Sequence, residues 1–299
     1  MSDDDVRDAE EALWAVRQVE VADELTLDVA EQGDPDGRAL LLLHGFPQTH
    51  RCFDALARRL LPHGLRLLAP DQRGYSPGAR PAEVAAYGIS ELTHDALAVL
   101  DAYGIESVDV VGHDWGAVVA WNLAARHPNR VRTLTAVSVP HPKAMDAALA
   151  DEHGEQRERS AYIRLFRMPG KAEEVLLEDG AHRLRSIYSP LSESAVEPHF
   201  RVLSDPAALT GALSWYRAMK VQDSATLPDV TVPTTFVWSS GDPAIGRTAA
   251  EGCDRYVTGP YRFVELAGIS HWIPDQAPDE LAAAVLDRLN LSEGSDRPE

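Results

Sequence analysis

Val108-Asp109-Val110-Val111-Gly112-His113-Asp114-Trp115-Gly116-Ala117 is the stretch on which the fold turns. The run 108–111 reads as a buried strand, and 116–126, rich in Ala, Val and Trp, reads as a helix. Between them, glycines stand two residues before and two residues after Asp114. Glycine suits both places because the turn is sharp and neighbouring backbone has to approach closely. Such an elbow lifts residue 114 above the sheet, next to the N-terminus of the following helix. In the G-x-S-x-G version the central residue is a serine nucleophile, whereas here it is a carboxylate. Taken alone, Asp114 also reads as a plain helix N-cap.

Outward from the elbow, the apolar runs 39–43, 65–69, 133–137 and 234–238 have the continuous character of strands buried on both faces. Alternation over 16–21 and 25–29 predicts two half-exposed strands joined by a turn at 22–24, and 261–266 predicts a further strand. Helical patterns fall at 56–61, 89–103 and 279–289. Strand and helix alternate from 39 to 139, which predicts an α/β fold with a doubly wound, mostly parallel sheet and right-handed crossovers. The alternation stops at Pro140-His141-Pro142, and as far as about 230 the chain is helix-like. The expectation is one α/β core built from 12–139 and 231–291, carrying an inserted helical lid (cap) at 140–230, with flexible tails at 1–11 and 292–299. An insertion there sits over strand C-termini, where open α/β sheets bind ligands.

The 299 residues include 47 acidic and 28 basic ones, a formal charge of −19. That balance argues against nucleic acid or an anionic membrane surface as partner, since both would be repelled. Hydrophobic residues at 44% and charged ones at 25% are globular rather than disordered proportions. Cys52 and Cys253 stand alone, with no disulfide framework and no CxxC pair. No apolar run approaches the roughly 20 residues of a membrane span. The first residues are acidic where a secretory signal would be basic and then apolar, so a cytoplasmic location is expected. Oligomeric state stays open, a homo-oligomer included.

Three further motifs follow strands in the same way. His44-Gly45-Phe46-Pro47 comes directly after 39–43 and can aim a backbone N–H at the elbow. Ser240-Gly241-Asp242 puts a carboxylate just past 234–238, and Gly268-Ile269-Ser270-His271-Trp272 puts a histidine just past 261–266. Each alone reads as a turn. Together they give the chain order Asp114, Asp242, His271, all at strand C-terminal ends, which is the order of a catalytic triad.

With Asp71-Gln72-Arg73-Gly74-Tyr75-Ser76 added, these motifs resemble the α/β-hydrolase family, and within it the aspartate-nucleophile branch of epoxide hydrolases and dehalogenases. The resemblance runs from about residue 15 to 290. It implies an alkyl–enzyme ester on Asp114, hydrolysed by water that His271 activates and Asp242 orients, with no cofactor and no metal. It also places the backbone N–H groups of Phe46 and Trp115 as oxyanion donors, with Phe46, Pro47 and Trp115 at the substrate pocket. An aspartate suits attack on an sp3 carbon bearing a leaving group, not acyl transfer. In the insertion, Tyr162 and Tyr216 stand in contexts similar to the paired lid tyrosines of soluble epoxide hydrolases, which protonate the epoxide oxygen. Tyr188, beside Pro190, has no such match and reads as structural.

The expected activity is therefore epoxide plus water to vicinal diol, with a small-molecule epoxide and water as the only partners. A haloalkane-type dehalogenase is the alternative. Phe46 replaces the halide-holding Asn of that group, but the Trp115 indole N–H still offers a halide donor; haloacid cleavage is disfavoured, because Trp115 and Val118 stand where haloacetate dehalogenases carry arginines. A non-catalytic ligand-binding member of the fold is the remote reading.

Overall fold

A computed structural model describes residues 14–294. Eight strands form one sheet: β1 (Ala15–Ala22), β2 (Leu25–Gly33), β3 (Arg38–Leu43), β4 (Leu65–Pro70), β5 (Val108–His113), β6 (Val131–Val137), β7 (Thr234–Ser239) and β8 (Tyr261–Leu266). Their spatial order is β1-β2-β4-β3-β5-β6-β7-β8. The pairs β1–β2 and β2–β4 are antiparallel and the others parallel.

Alternate residues of one strand feed opposite cores, which is why the sequence shows runs rather than alternation. Leu41 and Leu43 of β3 join the core that contains Val99, Trp121 and Leu134. Leu40 and Leu42 join the one with Phe53, Leu56 and Leu281. All four leucines are at most 1% exposed, and each such burial contributes about 2 kcal/mol. Helices α1 (Asp54–Leu60) and α13 (Pro278–Gly294) cover one face, while α2 (Ile89–Ala102) and α3 (Trp115–Arg126) cover the other.

Between β6 and β7 the chain forms a series of helices joined by short connections, with Val230 in an isolated bridge to Val257. The helices are α4 (Pro142–Ala150), α5 (Glu155–Arg159), α6 (Ile163–Phe166), α7 (Lys171–Ile187), α8 (Glu193–Leu203), α9 (Pro206–Ala218) and α10 (Val221–Ala225). The pattern 171–187 is interrupted at 178–181, where Asp179, Gly180 and Ala181 have positive φ and break α7. Helix α11 (Arg247–Glu251) lies between β7 and β8, and α12 (Ile273–Gln276) precedes α13.

Buried hydrogen bonds tie the insertion down. Trp215 Nε1 of α9 donates to the Arg73 carbonyl at 2.9 Å, and Arg73 is itself locked to Asp95 by a buried two-point ion pair. Tyr188 Oη donates to the Pro47 carbonyl at 2.7 Å. The expected tail 1–11 and residues 295–299 of the expected tail 292–299 lie outside the described residues, and α13 runs on to Gly294. Among the described residues no helix is long and apolar enough to cross a membrane.

Candidate active site

The motif residues meet where the parallel strands end. Asp114 joins β5 to α3 with φ 53° and ψ −120°, a conformation that costs a non-glycine residue about 1–3 kcal/mol. Its surroundings hold it there. A Cβ on Gly116 would lie 1.9 Å from the Leu43 carbonyl oxygen, and one on Gly45 2.2 Å from Asp114 Oδ1. Only glycine lets the end of β3 come this close to the elbow.

That approach lets the Phe46 N–H donate to Asp114 Oδ1 at 2.7 Å. The Trp115 backbone N–H holds the same carboxylate. Oδ1 is thus satisfied by backbone, while Oδ2 lies 3.4 Å from His271 Nε2. His271 Nδ1 donates to Asp242 Oδ2 at 2.7 Å. The other Asp242 oxygen accepts the N–H groups of Ala244 and Ile245 at 2.8 and 3.1 Å, so the acid cannot rotate. Asp114, Asp242 and His271 are all buried.

Burial alone would strip the imidazole of its proton. The carboxylates of Asp242 and Asp114 outweigh it and raise His271 to about 10. Burial likewise opposes a charged Asp114, but hydrogen bonding and charge from His271 win and hold its carboxyl below the usual range. The N-terminus of α3 favours the same anion. At neutral pH the resting site therefore holds an imidazolium between two carboxylates.

Tyr216 of α9 and Tyr162, just before α6, line a cavity of about 150 Å³ together with Asp114 and His271. The same four residues border a neighbouring cavity of about 220 Å³. The two tyrosine rings lie 6.5 Å apart at 78°. Tyr216 packs edge-on against Trp115 at 5.1 Å and Phe46 at 5.6 Å. Burial raises both phenols, and the Asp114 charge adds to it, so both keep their protons. Tyr162 is 40% exposed, and solvent screens its shift more than that of Tyr216.

Two of the three expected pocket residues face these cavities: Trp115 lines the first and Phe46 the second. Pro47 lines neither of these two cavities, and its carbonyl accepts from the Tyr188 hydroxyl.

Residues 38–278 match the family model described as the alpha/beta hydrolase fold. The chain belongs to that family. Among curated relatives it is 33% identical over 273 residues to the AB hydrolase superfamily protein YfhM of Bacillus subtilis, with 89% of this chain and 94% of that one covered. It is 32% identical over 301 residues to Epoxide hydrolase A of Mycobacterium tuberculosis, covering 88% and 94%. A solved structure described among novel epoxide hydrolases from metagenomes of hot environments superposes with TM-score 0.82 at 32% identity, covering 92% and 98%. Epoxide Hydrolase A from Mycobacterium thermoresistibile superposes with TM-score 0.79 at 28% identity, covering 93% and 98%.

In this α/β-hydrolase much of the cavity wall was not legible in the sequence. Met145 and Leu149 of α4 and Ile163 of α6 line the first cavity, each from a different turn or helix and none in a motif. Tyr188 was read as structural, and its hydroxyl holds the loop that carries Phe46. The signal available for it was slight, a tyrosine two residues before a proline.

Proposed function

We propose that this chain is an epoxide hydrolase that forms an alkyl–enzyme ester on Asp114. The observation that carries the reading is that two protonated phenols, Tyr162 and Tyr216, border the same cavity as Asp114 and His271. An epoxide leaves as an alkoxide and needs a proton donor, whereas a halide leaves as a stable anion and does not. The names of the relatives at about 30% identity support the same chemistry.

In the first step Asp114 Oδ2 attacks an epoxide carbon, the C–O bond breaks, and the oxygen takes a proton from one phenol. Alkoxide is a far stronger base than phenolate, so the transfer is downhill. In the second step water attacks the Asp114 ester carbonyl. The oxyanion forms on the enzyme's own carboxyl group, and the N–H groups of Phe46 and Trp115 receive it. The diol then leaves with the alkyl oxygen it brought and the one Asp114 supplied. The inserted helices act as a cap that closes the site, and the core is 12–139 with 231–291.

The proton count closes within the site. Esterification removes the Asp114 charge, one of the two that hold the imidazolium. His271 then releases its proton more readily, and the phenolate left by ring opening is a strong enough base to take it. Neutral His271, oriented by Asp242, can next accept a proton from the attacking water and pass it to the departing alkyl oxygen, after which the acid left on Asp114 gives its proton to His271 and restores the resting pair.

Incubation with styrene oxide and, separately, with 1-bromobutane tests the assignment. Phenylethane diol without bromide release is the expected result. Bromide release without diol would make the protein a dehalogenase, and neither product would leave a binding protein.

A further inference from the structure

The histidine of the elbow motif has no part in the chemistry above. His113 is fully buried, and its Nε2–H donates to the backbone carbonyl of His271 at 3.0 Å. Ser138 Oγ–H donates to the same oxygen at 2.8 Å. Ser138 stands just past β6 with φ 66°, a left-handed conformation that a serine holds only where its surroundings fix it. Side chains from the ends of β5 and β6 thus converge on one atom of the loop that follows the edge strand β8. The Ile273 N–H completes its surroundings at 3.0 Å.

The tautomer follows from these partners. A carbonyl can only accept, so the His113 proton is on Nε2. Its buried Nδ1 has no partner, and burial, with the neighbouring imidazolium of His271, lowers His113 to about 4, which keeps it neutral. His271 needs such an anchor. Bonds at Ile269, Ser270 and Trp272 hold the neighbouring residues of its loop, but on His271 itself the Nδ1 bond to Asp242 alone would let the ring pivot about that one contact. Pinning the peptide of His271 fixes its Cα–Cβ direction, and two anchors then define where Nε2 points.

We propose that His113 and Ser138 are positioning residues that hold His271 by its carbonyl, so that Nε2 meets the water attacking the Asp114 ester. This rests on the reading that such an ester forms. Misplacing a reacting group by an ångström costs up to about 100-fold, and here the cost should fall on one step only. A small misaim of Nε2 leaves the His271 charge beside Asp114 and the carboxylate ionised, so alkylation is spared.

Single-turnover measurements on the whole protein separate the steps, following loss of styrene oxide for alkylation and decay of the alkyl–enzyme mass for hydrolysis. Ser138→Ala removes the hydroxyl without relieving the backbone, and His113→Leu removes the ring donor. Each should slow hydrolysis about tenfold, and the double variant roughly 100-fold, with alkylation altered less than about twofold. His113→Gln, whose amide N–H reaches the place of Nε2, should recover most of the loss. The low-field Nδ1–H proton resonance of His271 should shift or broaden in Ser138→Ala and in His113→Leu and keep its parent position in His113→Gln. Hydrolysis at the parent rate in Ser138→Ala would overturn the proposal, as would a parallel fall of both steps. Should His113→Leu fail to fold, Ser138→Ala and His113→Gln still decide it. His271→Gln is the control: if it accumulates no ester, the covalent reading fails and this inference with it. If the ester accumulates there but the Ser138 and His113 variants behave like the parent, only this inference fails.

Discussion

Asp114 has one oxygen held by the Phe46 backbone N–H and the other turned to His271, and that division sets what each substitution should do. Asp114→Ala should remove turnover of styrene oxide by at least about 10⁴-fold while leaving the circular dichroism spectrum of the parent. Tyr162→Phe and Tyr216→Phe each keep the ring and remove one donor. Loss of such a donor costs about 100- to 1,000-fold; each single change should cost less because the partner remains, and the double change should nearly abolish alkylation in a rapid-quench assay. A double variant that opened epoxides at the parent rate would transfer the case to the dehalogenase. The charges also predict a pH profile of stability. His271 is raised to about 10, so its stabilising contribution is full below about 6.5, its unfolded value, and is lost as pH rises through about 10. Asp114 is lowered, so its contribution is present above the unfolded value of about 3.9 and is lost as pH falls below it. Melting temperature should therefore decline on the alkaline side, and His271→Gln should flatten that limb. A variant with the parent's alkaline decline would mean the imidazolium is not its source.

Elements were legible where burial writes on sequence. The central strands are covered on both faces, and the runs at 39–43 and 234–238 lie within β3 and β7. Edge strand β8 is only half covered, and the strand expected at 261–266 coincides with it. The insertion was legible as helical and little more. Helices α5 and α6 have five and four residues, too short to show a period, and the break in α7 comes from three left-handed residues of which only one is glycine. The candidate triad was legible because each member stands in a motif at a strand end, whereas the cavity walls come singly from several elements. The corner after α7 shows what that hides. Tyr188 Oη holds the Pro47 carbonyl, Ser189 O accepts from Trp272 Nε1 at 3.2 Å, and so one corner braces both the Phe46 loop and the His271 loop. Tyr188→Phe leaves the Pro47 carbonyl buried and unpaired, which should cost about 1–3 kcal/mol in urea unfolding. A cost near zero would show that the loop is held by other means, such as the Thr49 N–H to His199 Nδ1 bond at 3.0 Å.

Over the whole molecule, the formal charge of −19 repels anions but has no lever on a neutral epoxide. Screening at 0.1 M salt already confines such fields to about 10 Å. Binding and turnover of styrene oxide should therefore be insensitive to salt: kcat/KM measured at low and at roughly 0.5 M sodium chloride should agree within about twofold. A steep salt dependence would point to an ionic substrate. The architecture joins two half-sites, a sheet edge that supplies carboxylates and imidazole, and inserted helices that supply phenols. Whether they act as one covalent catalyst is decided by where the oxygen of the product comes from. With enzyme in excess over styrene oxide in 18O-water, the account predicts unlabelled diol in the first turnover and 18O in the carboxylate of Asp114. Solvent label in the first-turnover diol, with Asp114 unlabelled, would contradict it and make the reaction a direct attack by water.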